Sequence, residues 1–100
     1  DRYDYYFHMA NSQRSLGMHI QAAKTIENSI KLDPGNALYY HHKAKSYELA
    51  GLLEDAINYY EKAVARLKRP SYYKDLAECY LLIGKNGKAR EAFELSRSYK

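Results

Sequence analysis

A length of 100 residues suits one ordinary domain and excludes a multidomain enzyme. Hydrophobic residues make up 46% and charged residues 28%, which excludes a disordered tail or a fibre, and the net charge of +4 does not require a nucleic-acid partner. The longest uncharged apolar run, residues 80–83, is far short of the roughly 18 residues that a membrane-spanning helix needs. We therefore expect one soluble domain without a membrane partner.

Apolar and small residues recur every three or four positions through most of the chain, which predicts helices rather than strands. In chain order the predicted helices span about 3–15, 19–31, 36–50, 53–67, 70–83 and 86–99. Gly17, Gly51 and Gly84 fall between the members of each pair, where a left-handed residue ends the first helix. Asn36 is placed to cap the third helix, and Pro70 to begin the fifth. The sequence therefore predicts three helical hairpins.

These hairpins repeat one another at steps of 34 and then 33 residues. A pair of tyrosines at 5–6 recurs at 39–40 and 72–73, and the three glycines keep the same spacing. Alanines in the same register are Ala10, Ala44 and Ala77, and Ala22, Ala56 and Ala89. A repeat of this length indicates stacked units that bury a shared core, because one hairpin cannot bury its own apolar face.

The pattern resembles the tetratricopeptide repeat (TPR) family, a helix–turn–helix unit of 34 residues. In the second unit the family's bulky and small packing positions are occupied by Tyr40, Ala44, Tyr47, Gly51, Ala56, Tyr60 and Ala63. The resemblance implies an all-α fold, a right-handed α-solenoid of three antiparallel helix hairpins in one domain, residues 1–100. The implied units span about 3–36, 37–69 and 70–100. Gln13 and Lys43 stand at columns that are usually large and apolar, and we expect them to weaken the packing locally.

The resemblance also implies a concave groove lined by the first helix of each hairpin. The positions expected there, which we name the groove face, are Phe7, His8, Asn11, Arg14, Leu38, His41, His42, Lys45, Lys74, Asp75 and Glu78. TPR grooves take a peptide or helix of a partner, which implies a non-catalytic protein-interaction module of the adaptor, scaffold or co-chaperone kind. Since an unperturbed histidine titrates near pH 6.5, we expect the groove histidines to strengthen attraction for an acidic segment as the pH falls toward 6.

No pattern in the sequence points to catalysis, a cofactor or a metal. There is no glycine-rich phosphate loop or nucleophile elbow. Cys79 has Ser12 and Ser46 as its repeat counterparts, which favours a structural thiol at a helix contact. His41 and His42 point about 100° apart on a helix, so they do not converge on a metal ion. We therefore expect a protein that is not an enzyme and holds neither cofactor nor metal.

Two further functions stay open on the sequence alone. The array could associate with itself through a terminal hairpin and serve as an oligomeric scaffold. Alternatively, basic helix ends could bind nucleic acid, since Arg66, Lys68 and Arg69 form the densest cationic stretch. Cations at the end of a helix also complement its macrodipole, and this explains the stretch better. We therefore expect a protein or peptide partner rather than a nucleic acid.

The cysteine content and the first residue bear on the setting of the chain. Cys79 is the single cysteine and cannot form an intramolecular disulfide, and no secretory leader is visible, so we expect a cytoplasmic protein. The first residue is Asp1 rather than Met. We therefore expect these 100 residues to belong to a longer polypeptide.

Overall fold

A computed structural model describes the backbone of residues 2–99 and the side chains of residues 5–99. Its helices are α1 (Arg2–Ser15), α2 (His19–Leu32), α3 (Ala37–Leu49), α4 (Leu53–Arg66), α5 (Pro70–Leu82) and α6 (Asn86–Ser98). Residues 2–99 contain no β-strand. Every predicted helix end is within one residue of the observed one. Asp1 and Lys100, the predicted ends of the domain, lie outside the described residues.

Glycine ends the first helix of each hairpin, as predicted. Gly17, Gly51 and Gly84 adopt φ values of +84°, +84° and +83°, a left-handed conformation that strains other residues. After the first of them, the N–H of Met18 donates to the carbonyl of Gln13 at 2.8 Å, which satisfies a helix-end carbonyl. Equivalent bonds follow the other two glycines. Each glycine therefore reverses the chain into the second helix of its pair.

The other two predicted helix-start signals are also confirmed. Asn36 precedes α3, and its Oδ1 accepts a hydrogen bond of 3.0 Å from the N–H of Leu38. Pro70 occupies the first turn of α5, where its missing N–H would have no intrahelical partner. These two residues set the points at which the second and third hairpins begin.

The helices pair as α1 with α2, α3 with α4 and α5 with α6, and the hairpins stack through α2 on α3 and α4 on α5. Small residues are fully buried in this packing, namely Ala22, Ala44, Ala56 and Ala77. One apolar cluster joins the first hairpin to the second, and another joins the second to the third. The predicted all-α solenoid of three antiparallel hairpins is therefore confirmed.

Lys43 is buried between the first two hairpins, although its column is usually apolar. Its Nζ lies 2.5 Å from Glu27 Oε1 on α2 and 4.7 Å from the centre of the Tyr59 ring. Burial alone would lower the pKa of Lys43, but the hydrogen bond and charge of Glu27, with nearby tyrosines, raise it. The lysine thus fills its position with an ion pair and ring contacts. Gln13 is the other polar residue at a usually apolar column, and its Oε1 is buried without a hydrogen-bond partner among the described residues.

Candidate functional site

The first helices of the three hairpins, α1, α3 and α5, carry every residue of the groove face. Because the repeat places equivalent residues side by side on adjacent helices, their side chains meet across the hairpin boundaries. Two groups form. We name Phe7, Asn11, Arg14 and His42 the Arg14 cluster, and His41, Lys45, Glu48 and Asp75 the Asp75 cluster.

The Arg14 cluster joins α1 to α3. Arg14 Nη1 lies 3.0 Å from His42 Nδ1, and Arg14 Nη2 donates to Asn11 Oδ1 at 2.9 Å. Phe7 meets the His42 ring edge-to-face, with ring centres 4.7 Å apart. All four side chains are only partly buried. A guanidinium and an aromatic ring are therefore held in fixed positions while still open to a ligand.

His42 is held in its neutral form. Burial, reinforced by the positive charges of Arg14, His41 and Lys45, lowers the pKa of His42 to about 4. The guanidinium can only donate, so Nδ1 of the neutral ring accepts and Nε2 carries the proton. The expectation that the groove histidines gain charge as the pH falls toward 6 is therefore wrong for His42.

The Asp75 cluster joins α3 to α5. His41 Nε2 lies 2.7 Å from Asp75 Oδ2, and Lys45 Nζ lies 3.9 Å from Asp75 Oδ1 and 3.6 Å from Glu48 Oε1. Burial would raise the pKa of Asp75, but the hydrogen bond from His41 and the nearby cations hold it below the usual value. The charge of Lys45 is therefore compensated within the cluster by two carboxylates, Asp75 and Glu48.

Sequence reasoning missed two participants, Tyr72 and Tyr60. Glu48 is expected on the same side of the helix as Lys45, because it lies at i+3 from that residue. Tyr72 stacks under His41, with ring centres 4.4 Å apart, and Tyr60 donates its hydroxyl proton to Glu48. Both tyrosines occupy packing columns of the repeat. Nothing in the sequence marked their contacts with the groove face.

Four residues of the groove face lie outside both clusters. His8, Lys74 and Glu78 are exposed, and Leu38 is partly buried. Among residues 5–99, none of these four side chains forms a hydrogen bond or ion pair. His8 contacts the Phe7 ring at 5.8 Å between centres, and the charge of Lys74 helps to lower the pKa of Asp75. They border the two clusters rather than complete them.

Cys79 is buried below the Asp75 cluster. Burial, reinforced by the carboxylate of Glu48, raises the pKa of its thiol to about 12. The residue is thus a protonated packing group at neutral pH rather than a nucleophilic thiolate.

No metal-binding arrangement appears in the part of the chain that the structure describes. Groups of three or more His, Cys, Asp or Glu side chains at metal-binding separation are absent there.

Within residues 2–99, every helix falls short of the length and apolar character that a membrane crossing demands.

The basic end of α4 is engaged in structural contacts. Arg66 Nε donates to the carbonyl of Pro34 at 3.1 Å, and Arg66 Nη1 donates to the carbonyl of Lys62 at 2.9 Å. The guanidinium carbon lies 4.0 Å from the centre of the Tyr40 ring. Arg66 therefore anchors the connection between the first two hairpins, which supports a structural use of this basic stretch.

A family model described as tetratricopeptide repeat matches residues 3–36 and 37–66. No curated protein matches the sequence.

Several solved structures share the fold. They include the crystal structure of MamA, with 21% identity, a TM-score of 0.90 and coverage of 98% of this chain and 58% of that one. PcrH in complex with the chaperone binding region of PopB has 23% identity, a TM-score of 0.90 and coverage of 98% and 80%. The second TPR of Spaghetti bound to an HSP90 peptide has 18% identity, a TM-score of 0.90 and coverage of 98% and 92%. At these identities the likeness shows the fold alone, and this chain spans little more than half of the MamA chain.

Proposed function

Because the chain belongs to the tetratricopeptide repeat family, we propose that it is a non-catalytic protein-interaction module that binds a peptide segment or helix of a partner protein. The binding surface is the groove on α1, α3 and α5. The observation that carries this proposal is the Arg14 cluster, which holds an aromatic ring and a cation side by side on a partly exposed surface. Peptide recognition uses this combination, with an apolar anchor for affinity and polar groups for orientation.

The two clusters also favour a segment that crosses hairpin boundaries. Contacts between His42 and Arg14, and between His41 and Asp75, place both histidines beside residues of the neighbouring hairpins. A ligand lying along this face would touch all three hairpins at once. Two proteins of this fold support the proposal, because PcrH and the Spaghetti domain were both solved with a segment of another protein.

Selection of short random peptides displayed on phage, followed by titration of the winners, tests this function. Lys45→Glu adds a third carboxylate beside Asp75 and Glu48, and we expect it to weaken the selected peptides about tenfold or more. Lys24→Glu is the matched control, since Lys24 is exposed on α2, away from the groove face. Circular dichroism checks the fold of each variant. Equal affinity for the parent and Lys45→Glu would move the binding surface off the groove.

Self-association is a second candidate, favoured by apolar side chains exposed near the turns within the hairpins. Leu16, Leu49 and Leu82 are 76%, 52% and 65% exposed, and the last two occupy equivalent repeat positions. Exposed apolar groups in register can mark an interface. Light scattering over a wide range of concentrations decides this point, because a constant monomer mass would contradict self-association.

A further inference from the structure

A cleft of about 220 Å³ opens between the two helices of the third hairpin, α5 and α6. Four buried residues form its floor, namely Tyr73, Leu76, Tyr80 and Ala92. Three exposed residues of α6 surround its opening, namely Lys88, Glu91 and Leu95. None of these residues belongs to the groove face, so the cleft is separate from the site described above.

At the equivalent place in the second hairpin, between α3 and α4, lies the ring of Tyr59. It stacks with the ring of Tyr47 at 5.6 Å between centres and with the ring of Tyr40 at 6.4 Å. The Nζ atoms of Lys43 and Lys62 lie 4.7 Å and 4.6 Å from its centre. One aromatic ring is therefore held there by two tyrosines and two cations.

The repeat relates these contacts to the cleft, because each residue has a counterpart 33 positions later in the third hairpin. The counterparts of the four residues around Tyr59 all line the cleft, and they are Tyr73, Leu76, Tyr80 and Leu95. The counterpart of Tyr59 itself is Ala92, whose side chain is a single methyl group. The cleft therefore occupies the place of an aromatic ring that α6 does not supply.

Another ring near the cleft does not take that place. Tyr99 stacks on Tyr73 with ring centres 5.6 Å apart. Its counterpart is Arg66, which covers the ring of Tyr40 at 4.0 Å in the second hairpin. Tyr99 thus replaces the guanidinium of Arg66 rather than the ring of Tyr59.

We propose that this cleft binds one aromatic side chain, of tyrosine or phenylalanine, from a partner protein. Tyr73 and Tyr80 are the stacking partners of the incoming ring, and Leu76 offers it an apolar contact. The occupant of the equivalent place, Tyr59, is itself a side chain on a polypeptide, which favours a protein ligand. The site uses other residues than the groove face, so it does not depend on the proposed function.

The charges around the opening match a neutral, electron-rich ring. Lys88 Nζ lies 5.8 Å from the centre of the Tyr80 ring and forms no ion pair within residues 5–99, so it can also approach the face of a bound ring. Glu91 stands at the opening, and Glu61 beside it accepts the hydroxyl proton of Tyr80. Both carboxylates would repel an anionic ligand.

Small rings test the cleft without any partner protein. The ring signals of Tyr80 and the methyl signals of Leu76 are followed by NMR on the whole chain during titration with p-cresol, the side chain of tyrosine. The saturated match is 4-methylcyclohexanol, and half-saturation concentrations are compared because an aromatic ring shifts nearby signals by its own ring current. We expect p-cresol to saturate at a concentration about threefold or more lower. N-acetyltyrosine N-methylamide carries the same ring on a peptide backbone and should saturate the same signals.

Two positions on α6 provide variants. Ala92→Tyr supplies the ring from the helix itself, as Tyr59 does on α4, and should weaken p-cresol binding about tenfold or more. Ala65→Tyr makes the same change at an exposed position of α4 and should leave the binding unchanged. Leu95 is 40% exposed, so a charge there leaves the fold intact. Leu95→Glu should weaken binding about threefold or more, whereas Leu95→Lys, which copies the counterpart Lys62, should retain it.

Several results would overturn the aromatic site. The signals of Tyr80 and Leu76 could fail to saturate with p-cresol, or p-cresol and 4-methylcyclohexanol could bind equally well. Binding of p-cresol without N-acetyltyrosine N-methylamide would exclude a side chain of a protein. These results need the parent chain alone and do not depend on a variant that folds. Parent-like p-cresol binding in a folded Ala92→Tyr, or in Leu95→Glu, would equally place the ring elsewhere. The groove-binding function would stand in each case, since its test at Lys45 does not involve the cleft.

Discussion

Tyr60 on α4 donates its hydroxyl proton to Glu48 Oε1 on α3 across 2.6 Å. Tyr60 is fully buried, whereas Glu48 belongs to the Asp75 cluster on the surface. Burial and the hydrogen bond to Glu48 raise the pKa of Tyr60 above its usual value, so the hydroxyl stays a donor. This bond fixes a carboxylate of the candidate site to the core of the second hairpin.

Removing that hydroxyl should destabilise the protein without leaving a cavity. Tyr60→Phe keeps the ring but deprives Glu48 of its donor, and hydrogen bonds to charged groups contribute about 1.5 to 3 kcal/mol. We expect the free energy of unfolding, measured in urea, to fall by an amount at the lower end of that range, because Glu48 is partly exposed. Tyr47→Phe is the control, since Tyr47 makes ring contacts but no hydrogen bond through its hydroxyl within residues 5–99. Equal stability of both variants and the parent would show that the bond contributes nothing.

The ion pair of Lys43 and Glu27 gives a second prediction. Glu27→Gln leaves the buried lysine without its counter-charge and should lower the free energy of unfolding by about 1 to 3 kcal/mol. This loss is smaller than for a fully buried pair, because Glu27 is partly exposed. Adding Lys43→Met should recover most of that loss, since the column suits an apolar side chain.

Urea unfolding of the two single variants and the double variant measures this coupling. Glu94→Gln on α6 is the matched control, because its side chain is exposed and forms no ion pair in the described part of the chain. Additive effects of the two changes would contradict the prediction.

The pKa of His42 predicts a specific dependence of stability on pH. The ring titrates near pH 6.5 when unfolded and near 4 when folded, so the unfolded chain binds the extra proton first as the pH falls. The contribution of His42 to the free energy of unfolding is therefore complete above pH 6.5 and is lost as the pH falls from 6.5 to about 4. The loss should amount to about 1 to 3 kcal/mol, since the side chain keeps some contact with water.

Unfolding free energies at several pH values between 4 and 7 measure this slope. His42→Gln keeps an acceptor for Arg14 but cannot titrate, so its slope should be flatter than that of the parent. His8→Gln removes another histidine of the groove face and is the control. The pKa of Asp75 is lowered, so its contribution is lost only as the pH falls below the usual carboxyl range. Equal flattening in both histidine variants would assign the slope to other groups.

Arginines on α6 give a prediction about association. Arg90 and Arg97 are exposed at repeat positions where the earlier hairpins carry Ala23 and Ile57, and Ile30 and Val64. A charged outer face keeps the end of a repeat array from associating. Arg90→Ile with Arg97→Val should therefore raise the weight-average mass in light scattering as the concentration increases. A strictly constant mass would contradict this prediction. The double variant Lys85→Ile with Lys88→Ile tests whether the loss of two positive charges is by itself sufficient to cause association.

Repeat spacing predicted the helices and which residues share one side of a helix, because both depend on local rules. Gly17 had to adopt a left-handed conformation wherever a hairpin reverses, and Arg14 had to share a face with Asn11, three residues away on one helix. The pairing of charges was not predictable in this way. Whether Asp75 meets His41 or Lys74 depends on side-chain rotamers and on the spacing of two hairpins, which no local pattern specifies.

The same limit applies to Lys43 and His42. A lysine in an apolar column predicts weaker packing, since a charge there is unfavourable unless a partner lies within reach. Glu27, 16 residues earlier on another hairpin, supplies that partner. For His42 the sequence predicts an ordinary pKa, which is wrong because the ring is buried beside Arg14 where α1 and α3 meet.

Consecutive residues on α3 contact opposite neighbours, because His42 reaches Arg14 on α1 and His41 reaches Asp75 on α5. The middle hairpin is therefore held from both sides, while each outer hairpin has one such contact. Local opening in a repeat array starts where neighbours are missing. In the isolated 100-residue chain, backbone amides of α3 and α4 should consequently exchange with deuterium more slowly than those of α1 or α6.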